Sequence, residues 1–253
     1  MVERAVGSEV VTFFSSDAFI PGTSVTLGEE AAQHARVIRV SPGESVGLRD
    51  GRGNAAVGVI ARAAKRSLTI DVGTAWEISA PAAAHLMMPV GDRDRMLLLA
   101  EKATELGVTS WRPVMWRRSR SVGPRGDGPT FQSRVRNRMI AAMTQSGGGW
   151  LPEIHPLATP DRAIAAAPGG TRLMLDPSSE TQLAATALVE PVVIALGPEG
   201  GLEPVESESL AAAGFTGVSL GEGVLRFETA GIAALAIVRA MLSLRTVPGG
   251  ADA

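Results

Sequence analysis

Two glycine-marked stretches hold the residues whose types and spacing could do chemistry. Val192 to Gly201 reads VVIALGPEGG, and Ser219 to Gly231 reads SLGEGVLRFETAG. Glycine allows positive φ and lets a backbone approach a ligand closely. Each stretch also carries charge, because Glu199 lies in the first and Arg226 and Glu228 lie in the second. We interpret the two stretches as parts of one binding site.

An apolar strand is predicted before each group of glycines. VVIAL is continuously apolar, which is typical of a strand buried on both faces, and GVSL precedes GEG. Ligands of parallel sheets bind beyond the carboxyl ends of the strands. The GPEGG stretch is neither a P-loop nor a dinucleotide fingerprint. The alternative is that GPEGG is a plain strand-to-helix turn and that Glu228 and Thr229 only cap the following helix.

Composition excludes several classes of protein. The chain has 253 residues, of which 45% are hydrophobic and 20% charged, as in a globular protein of one or two domains. The absence of cysteine excludes a disulfide framework, a thiolate metal site and a cysteine nucleophile, and it fits a cytoplasmic location. His34, His85 and His155 are scattered, so we expect no metal site. We identify no signal peptide and no uninterrupted apolar run of about 18 residues, so we expect no membrane span.

Arginine is distributed unevenly along the chain. Between Arg112 and Arg138 there are eight arginines and a single acid, Asp127, although the net charge of the chain is −2. Guanidinium groups pair bidentately with phosphate, so the segment predicts a surface that binds a polyanion. A mobile loop is predicted from Gly123 to Pro129. The alternative interpretation is that the segment is only a solvated basic face, or that a GC-rich genome favours arginine codons.

The pattern of the chain changes near residue 80. Residues 10–75 contain short alternating runs separated by turn signals, which predict a small β-barrel or sandwich, with a helix within Gly28 to Val40. From His85 onward, apolar strands alternate with helices, which predicts an α/β domain with a mainly parallel sheet. We place the boundary between Glu77 and Ala84, with domains at 1–78 and 79–253.

Five ordered segments together carry a family resemblance. They are Ala31–Asn54 (AAQHARVIRVSPGESVGLRDGRGN), Glu101–Val108 (EKATELGV), Ala141–Ile154 (AAMTQSGGGWLPEI), Leu196–Gly201 (LGPEGG) and Leu220–Ala230 (LGEGVLRFETA). In this order they resemble the motifs of the RsmE-type 16S rRNA (uridine-N3) methyltransferases, in the SPOUT superfamily. The resemblance extends along nearly the whole chain.

The resemblance implies a fold, a cofactor and partners. The implied fold is an α/β SPOUT methyltransferase domain with a C-terminal trefoil knot, plus an N-terminal PUA-like β-barrel domain that binds RNA. It further implies a cytoplasmic homodimer that binds S-adenosylmethionine and acts on ribosomal RNA or the small ribosomal subunit, without a metal or a membrane. The cofactor would be held by three loops, through Leu175, Leu196, Gly197, Pro198, Gly200, Gly201, Leu220, Gly221, Val224, Leu225 and Thr229.

The implied reaction assigns roles to the charged residues. Uridine N3 is a poor nucleophile until its proton is lost, so a cation near O2 or O4 would stabilise the anion, and a carboxylate or water would take the proton. We predict Arg226 as the cation and Glu199 or Glu228 as the base; either carboxylate could instead bind the cofactor or cap a helix. The arginines predicted to bind RNA are Arg36, Arg39, Arg93, Arg117, Arg118 and Arg120.

Two positions depart from the family pattern. Gly148 stands where the family has Arg, and Val90 stands where it has Lys before Gly-Asp-Arg. Arg93, Arg95 and the arginine-rich segment are the candidates to compensate. Three alternatives stay open: a different target nucleotide, a noncatalytic RNA-binding assembly factor, and, more weakly, an enzyme acting on a small molecule.

Overall fold

The computed structural model describes residues 10–119 and 128–245, which form two compact units. One unit comprises Met1–Ala80 and Ile140–Leu151, and the other comprises Pro81–Met139 and Pro152–Ala253. Most of the loop predicted from Gly123 to Pro129 lies outside the described residues.

The first unit is built on a five-stranded sheet. In spatial order its strands are β1 (Thr12–Phe14), β3 (Ser45–Arg49), β4 (Asn54–Ala63), β5 (Leu68–Glu77) and β2 (Ser24–Leu27). The pair β1 and β3 is parallel, and the other neighbours are antiparallel. The alternating pattern of residues 10–75 therefore predicted strands correctly.

One face of this sheet carries the core of the first unit. Leu48, Leu68 and Ile70 are completely buried there. Helix α1 (Glu29–Val37) lies within the predicted stretch and buries Ala32 and Ala35. Small alanines on the buried face let the helix approach closely, and the apolar contacts supply most of its stability, since isolated short helices are marginal in water.

The segment QSGGGW joins the first unit through backbone contacts. The Gly53 N–H donates to the Gly149 carbonyl at 2.9 Å, and the Leu151 N–H donates to the Gly51 carbonyl at 2.9 Å. The Trp150 indole N–H donates to the Ile78 carbonyl at 2.8 Å. A Cβ on Gly149 would lie 2.8 Å from the Ile78 Cβ, so this position requires glycine.

The second unit contains a six-stranded sheet in which every neighbouring pair is parallel. This arrangement agrees with the strand and helix alternation after His85. In spatial order the strands are β11 (Thr216–Val218), β9 (Thr171–Leu175), β10 (Val192–Ala195), β6 (Ala84–Pro89), β7 (Ser110–Val114) and β8 (Glu153–Ile154).

Helices lie between most of the consecutive parallel strands, and one more follows the last strand. They are α2 (Arg93–Glu105), α3 (Pro129–Ser146), α4 (Pro160–Ala165), α5 (Pro204–Ala212) and α6 (Phe227–Arg245), with a 3₁₀ turn at Leu183–Ala185. The sequence pattern missed β8, α4 and the 3₁₀ turn, because two to six residues are too few to show a period.

The strand order reverses between β6 and β10. The chain proceeds from β6 to β7 and β8 on one side, whereas β10, β9 and β11 lie on the other. In open α/β sheets such a reversal opens a crevice at the carboxyl ends of the strands. All four residues of β10 are buried, which explains its continuous apolar run.

Helix α6 packs inside the second unit. A Cβ on Gly231 would lie 2.8 Å from the Leu99 Cδ1 of α2, so this glycine permits close packing of the two helices. By length and composition, Phe227–Leu244 would suffice to cross a membrane, with a mean hydropathy of 1.6. Leu235 and Val238 of this helix are completely buried, so part of its apolar surface packs within the second unit, whereas Leu244 is 77% exposed.

Gly170, just before β9, has a backbone that accepts only glycine. Its φ is +86°, and a Cβ there would lie 2.1 Å from the Pro191 carbonyl oxygen. We expect Gly170→Ala to lower the free energy of unfolding by about 1–3 kcal/mol in urea titrations.

Gly169→Ala is the matched control, because a Cβ at Gly169 meets no atom within 4 Å. We expect a change within about 0.5 kcal/mol for it. Equal losses of unfolding free energy in the two variants would contradict the predicted clash between a Cβ at residue 170 and the Pro191 carbonyl.

Candidate functional site

A cavity of about 490 Å³ lies at the carboxyl edge of the parallel sheet. The loops after β9, β10 and β11 and the first turn of α6 line it, together with Arg118 from the segment after β7. This volume falls within the roughly 300–1,000 Å³ typical of small-molecule sites. Residues of both glycine-marked stretches therefore line one cavity.

The loop after β10 forms one wall through its backbone. Leu196, Gly197, Pro198 and Gly201 line the cavity. The Gly201 N–H donates to the Pro198 carbonyl at 2.8 Å, which closes a turn with φ of +72° at Gly201. A Cβ on Gly197 would lie 3.1 Å from the Leu202 Cγ, so a larger residue there would displace the wall.

The loop after β11 places apolar side chains at the cavity without covering them. Val224 and Leu225 line the cavity, yet Val224 is 83% exposed and Leu225 is 41% exposed. Gly221 has a φ of +133°, which a side chain would disfavour. Exposed apolar side chains lining a cavity are suited to contact with an apolar part of a ligand.

The loop after β9 supplies polar groups that the sequence reading did not select. Asp176, Pro177 and Ser178 line the cavity. The Asp176 Oδ1 accepts from the Ser178 N–H at 2.9 Å and from the Ser178 hydroxyl at 2.7 Å, which fixes the turn. Ser219 also lines the cavity. The sequence could have indicated Asp176, because this residue directly follows the apolar run of β9.

A second cavity of about 340 Å³ adjoins the first. The loop between β6 and α2 lines it through Val90, Gly91 and Asp92. Four residues line both cavities and so form the wall between them: Arg118, Pro198, Glu199 and Phe227.

Arg95 joins the two carboxylates predicted to act as bases. Its Nη1 forms an ion pair with the Glu199 Oε1, and its Nε lies 3.7 Å from the Glu228 Oε1. The Glu228 side chain is 8% exposed, and its Oε2 is buried without a hydrogen-bond partner within the described part of the chain. The cation offsets part of the cost of burying that carboxylate.

The start of α2 positions Arg95. Asp92 is the N-cap of the helix, and its Oδ1 accepts from the backbone N–H groups of Asp94 and Arg95 at 3.1 Å each. The cap satisfies N–H groups that have no partner inside the helix. Arg95 therefore projects from a fixed first turn beside the loop after β10.

Arg117 and Arg118 connect the end of β7 to the loop after β10. The Arg117 N–H donates to the Glu206 Oε1 at 2.7 Å, and its Nη1 lies 3.3 Å from the Glu203 Oε2. The Arg118 Nη1 donates to the Gly200 carbonyl at 2.8 Å. Glu203 and Glu206 also form the capping box at the start of α5.

The structure brings together most of the residues predicted to bind a cofactor. Thr229 lines neither cavity, and Gly200 lines the second. The remaining nine line the first cavity: Leu175, Leu196, Gly197, Pro198, Gly201, Leu220, Gly221, Val224 and Leu225.

The three residues predicted to be catalytic occupy different environments. Glu199 lies in the wall between the cavities, and Glu228 is buried beside Arg95. Arg226 is exposed and lines neither cavity.

The arginines predicted to bind RNA are divided between the two units. Arg36 and Arg39 are exposed in the first unit. In the second unit, Arg117 and Arg118 are exposed and Arg93 is half-buried. Arg120 lies outside the described residues. Across 10–119 and 128–245 no group of three acidic or histidine side chains is placed to hold a metal ion.

Two family models match the sequence. One, described as an RNA methyltransferase domain, matches residues 79–239. The other, described as an RNA methyltransferase PUA domain, matches residues 27–73.

Curated and solved proteins match over most of the chain. Ribosomal RNA small subunit methyltransferase E of Mycobacterium tuberculosis (strain CDC 1551 / Oshkosh) is 28% identical over 233 residues, or 87% of each chain. The Neisseria gonorrhoeae enzyme of the same name, solved bound to S-adenosylmethionine, is 27% identical, with a TM-score of 0.85 over 92% of this chain and 98% of its own. A Legionella pneumophila methyltransferase solved with the same cofactor is 27% identical, with a TM-score of 0.86 and the same coverage.

Arg95 should contribute to stability through the buried carboxylate. Replacing it by Met removes the cation and leaves the Glu228 carboxylate buried without it. We expect Arg95→Met to lower the free energy of unfolding in urea at neutral pH by about 1–3 kcal/mol. Adding Glu228→Gln should recover part of that loss, because the buried charge is then removed.

Arg93→Met is the control, since Arg93 also lies in the first turn of α2 but pairs with neither carboxylate. A loss from Arg93→Met as large as that from Arg95→Met would contradict the role of the ion pairs.

Proposed function

The chain belongs to the RNA methyltransferase family, and from this premise we propose that it methylates N3 of a uridine in small-subunit ribosomal RNA. The predicted resemblance to the RsmE-type enzymes and the predicted fold class are confirmed by the family models and the solved relatives. Its cofactor is S-adenosylmethionine. The trefoil knot stays a prediction.

The observation that carries the proposal is the first cavity. It is enclosed by the three loops that the sequence identified, and it combines backbone walls with apolar and polar side chains. Leu220, Val224 and Leu225 suit the apolar surface of adenine, whereas Asp176 and Ser219 suit hydroxyl groups of a ribose. The residues present therefore fit this cofactor.

S-adenosylmethionine supplies an electrophilic methyl group on a positively charged sulfur. The chain has to accept the proton of the uridine N3 and to hold the base beside the cofactor cavity. Glu199 is the carboxylate in the wall between the two cavities, so we propose it as the proton acceptor. Glu228 is buried behind Arg95, which favours a role in fixing that arginine and, through it, Glu199.

Arg226 stays a proposed cation for the substrate, although it lines neither cavity. Its side chain is exposed and its carbonyl accepts from the Ala230 N–H at 2.9 Å, at the first turn of α6. The backbone there is anchored, and the guanidinium is available to solvent or to RNA phosphate.

RNA binding is proposed for both parts of the chain. We assign residues 1–78 to a PUA-like RNA-binding domain, with Arg36 and Arg39, and residues 79–253 to the methyltransferase domain. In the second part, Arg93, Arg117, Arg118 and Arg120 are the proposed phosphate ligands. We also propose a cytoplasmic homodimer, for which exposed Leu98 on α2 and Leu244 on α6 provide apolar surface.

Binding of S-adenosylmethionine is the first test, measured by calorimetric titration. We expect saturable binding by the native chain and binding at least about tenfold weaker by Gly197→Val, because the added side chain displaces the wall at Leu202.

Gly169→Val is the control and should bind like the native chain, since a Cβ at Gly169 meets no atom within 4 Å. Unchanged binding by Gly197→Val would place the cofactor elsewhere.

The proposed dimer is tested separately, by the molar mass of the native protein in solution.

Methylation itself is tested on small-subunit RNA by mass spectrometry of its nucleosides. We expect N3-methyluridine from the native enzyme and a rate about 10²-fold lower from Glu199→Gln, which cannot accept the proton. Glu222→Gln is the matched control, because Glu222 is an exposed carboxylate that lines neither cavity.

A methylated nucleotide other than uridine would overturn the proposed target and leave the family intact. Cofactor binding without methylation of any RNA would favour the noncatalytic assembly factor.

A further inference from the structure

We propose, on the basis of the proposed function, that the second cavity receives the target uracil ring and that Arg118 stabilises its N3-deprotonated form. The second cavity is the one of about 340 Å³ lined by the loop between β6 and α2 and by the GPEGG loop. Arg118 then acts in catalysis as well as in binding RNA phosphate.

The position of the second cavity suits a methyl acceptor. It shares Arg118, Pro198, Glu199 and Phe227 with the cofactor cavity, so a ligand in one lies against the same wall as a ligand in the other. A methyl group moves between two molecules only when the reacting atoms are in near contact. Adjoining cavities with four lining residues in common can hold the two ligands side by side, as such a transfer requires.

The lining of the second cavity suits a planar base. Pro89, Val90, Pro198 and Phe227 provide apolar surface, on which a nucleobase can stack. A Cβ on Gly91 would lie 3.0 Å from the Phe227 Cε1. Glycine at this position therefore lets the Phe227 ring pack directly on the loop between β6 and α2. Val90 is buried and apolar, which extends this surface.

Arg118 is the cation of this cavity, taking only the described residues that line it. Its Nη1 donates to the Gly200 carbonyl at 2.8 Å, and its Nε lies 3.8 Å from the Glu203 Oε1. Its side chain remains 47% exposed. A guanidinium has five N–H donors, so several remain for a ligand.

The charge of Arg118 is useful only after the proton leaves. Loss of the N3 proton to the Glu199 carboxylate spreads negative charge over O2 and O4 of the ring, and a guanidinium beside one of these oxygens stabilises it. The N3 electron pair then forms the bond to the methyl carbon. The bond from that carbon to sulfur breaks, and its electron pair stays on sulfur, which becomes a neutral thioether.

Arg117 and Arg118 form a matched pair for the test. Both guanidinium groups lie near Glu203 and both are exposed, but only Arg118 lines the cavities. For Arg118→Met we expect kcat to fall about 10²–10³-fold, a much larger change than any in the Kd for S-adenosylmethionine. For Arg117→Met we expect the loss mainly in KM for RNA, because a phosphate contact is removed. Urea unfolding of each variant establishes that it is folded.

A substrate with a more acidic N3 separates charge stabilisation from RNA positioning. RNA transcribed with 5-fluorouridine loses its N3 proton more easily, because fluorine withdraws electrons from the ring. We expect this RNA to restore kcat of Arg118→Met relative to the native enzyme and to leave the ratio for Arg117→Met unchanged.

The outcomes distinguish this inference from the proposed function. Equal losses of kcat in the two variants, or equal effects of fluorine on all three proteins, would overturn the role of Arg118 while N3-methyluridine still forms. A native enzyme that forms no N3-methyluridine would overturn the proposed function itself. A weaker Kd of Arg118→Met for S-adenosylmethionine that accounts for the whole loss would limit Arg118 to the cofactor cavity.

Discussion

The complete burial of strand β10 is the constraint on which the site depends. Every residue of Val192–Ala195 is buried between β9 and β6, in the middle of a parallel sheet whose order reverses beside it. Strand β10 can therefore contact a ligand only at its carboxyl end, and the loop after it has to turn within a few residues. Gly197, Gly200 and Gly201 make this turn possible without side chains that would fill the cavity. The neighbouring loops after β9 and β11 end at the same edge because all the strands are parallel.

Charged side chains hold the GPEGG loop from two directions. Arg95 pairs with Glu199 from α2, and Arg118 donates to the Gly200 carbonyl from the end of β7. Two buried glutamates contrast in this setting. The Glu206 carboxylate accepts from two backbone N–H groups, at 2.7 and 2.9 Å, and so serves the structure. Glu228 has one buried oxygen without a hydrogen-bond partner within the described residues, and Arg95 lies 3.7 Å from its other oxygen.

Binding of the cofactor should couple to the stability of these loops. Val224 and Leu225 expose apolar surface at the cavity, which is unfavourable in water and favourable against an adenine ring. A ligand that binds the folded state alone stabilises it in proportion to the logarithm of its concentration over Kd. The glycine loops that line the first cavity are thus the ones that cofactor binding would stabilise, and Phe227 and Glu199 extend that effect to the second cavity.

Apart from β8, α4 and the 3₁₀ turn, which are too short to show a period, the sequence by itself indicated the strands and helices, the parallel sheet, the two glycine loops as candidate ligand loops and the family resemblance. These follow from short-range pattern, because burial on two faces, helical period and turn chemistry are set by neighbouring residues. Only the tertiary structure decided that Arg95 forms ion pairs with both Glu199 and Glu228. It also placed Arg226 outside both cavities. The hydrogen bond from Arg118 to the Gly200 carbonyl joins residues that are 82 positions apart in the sequence. The physical reason is that an ion pair or a cavity wall depends on which strand ends become neighbours, and strand order leaves no periodic trace in the chain.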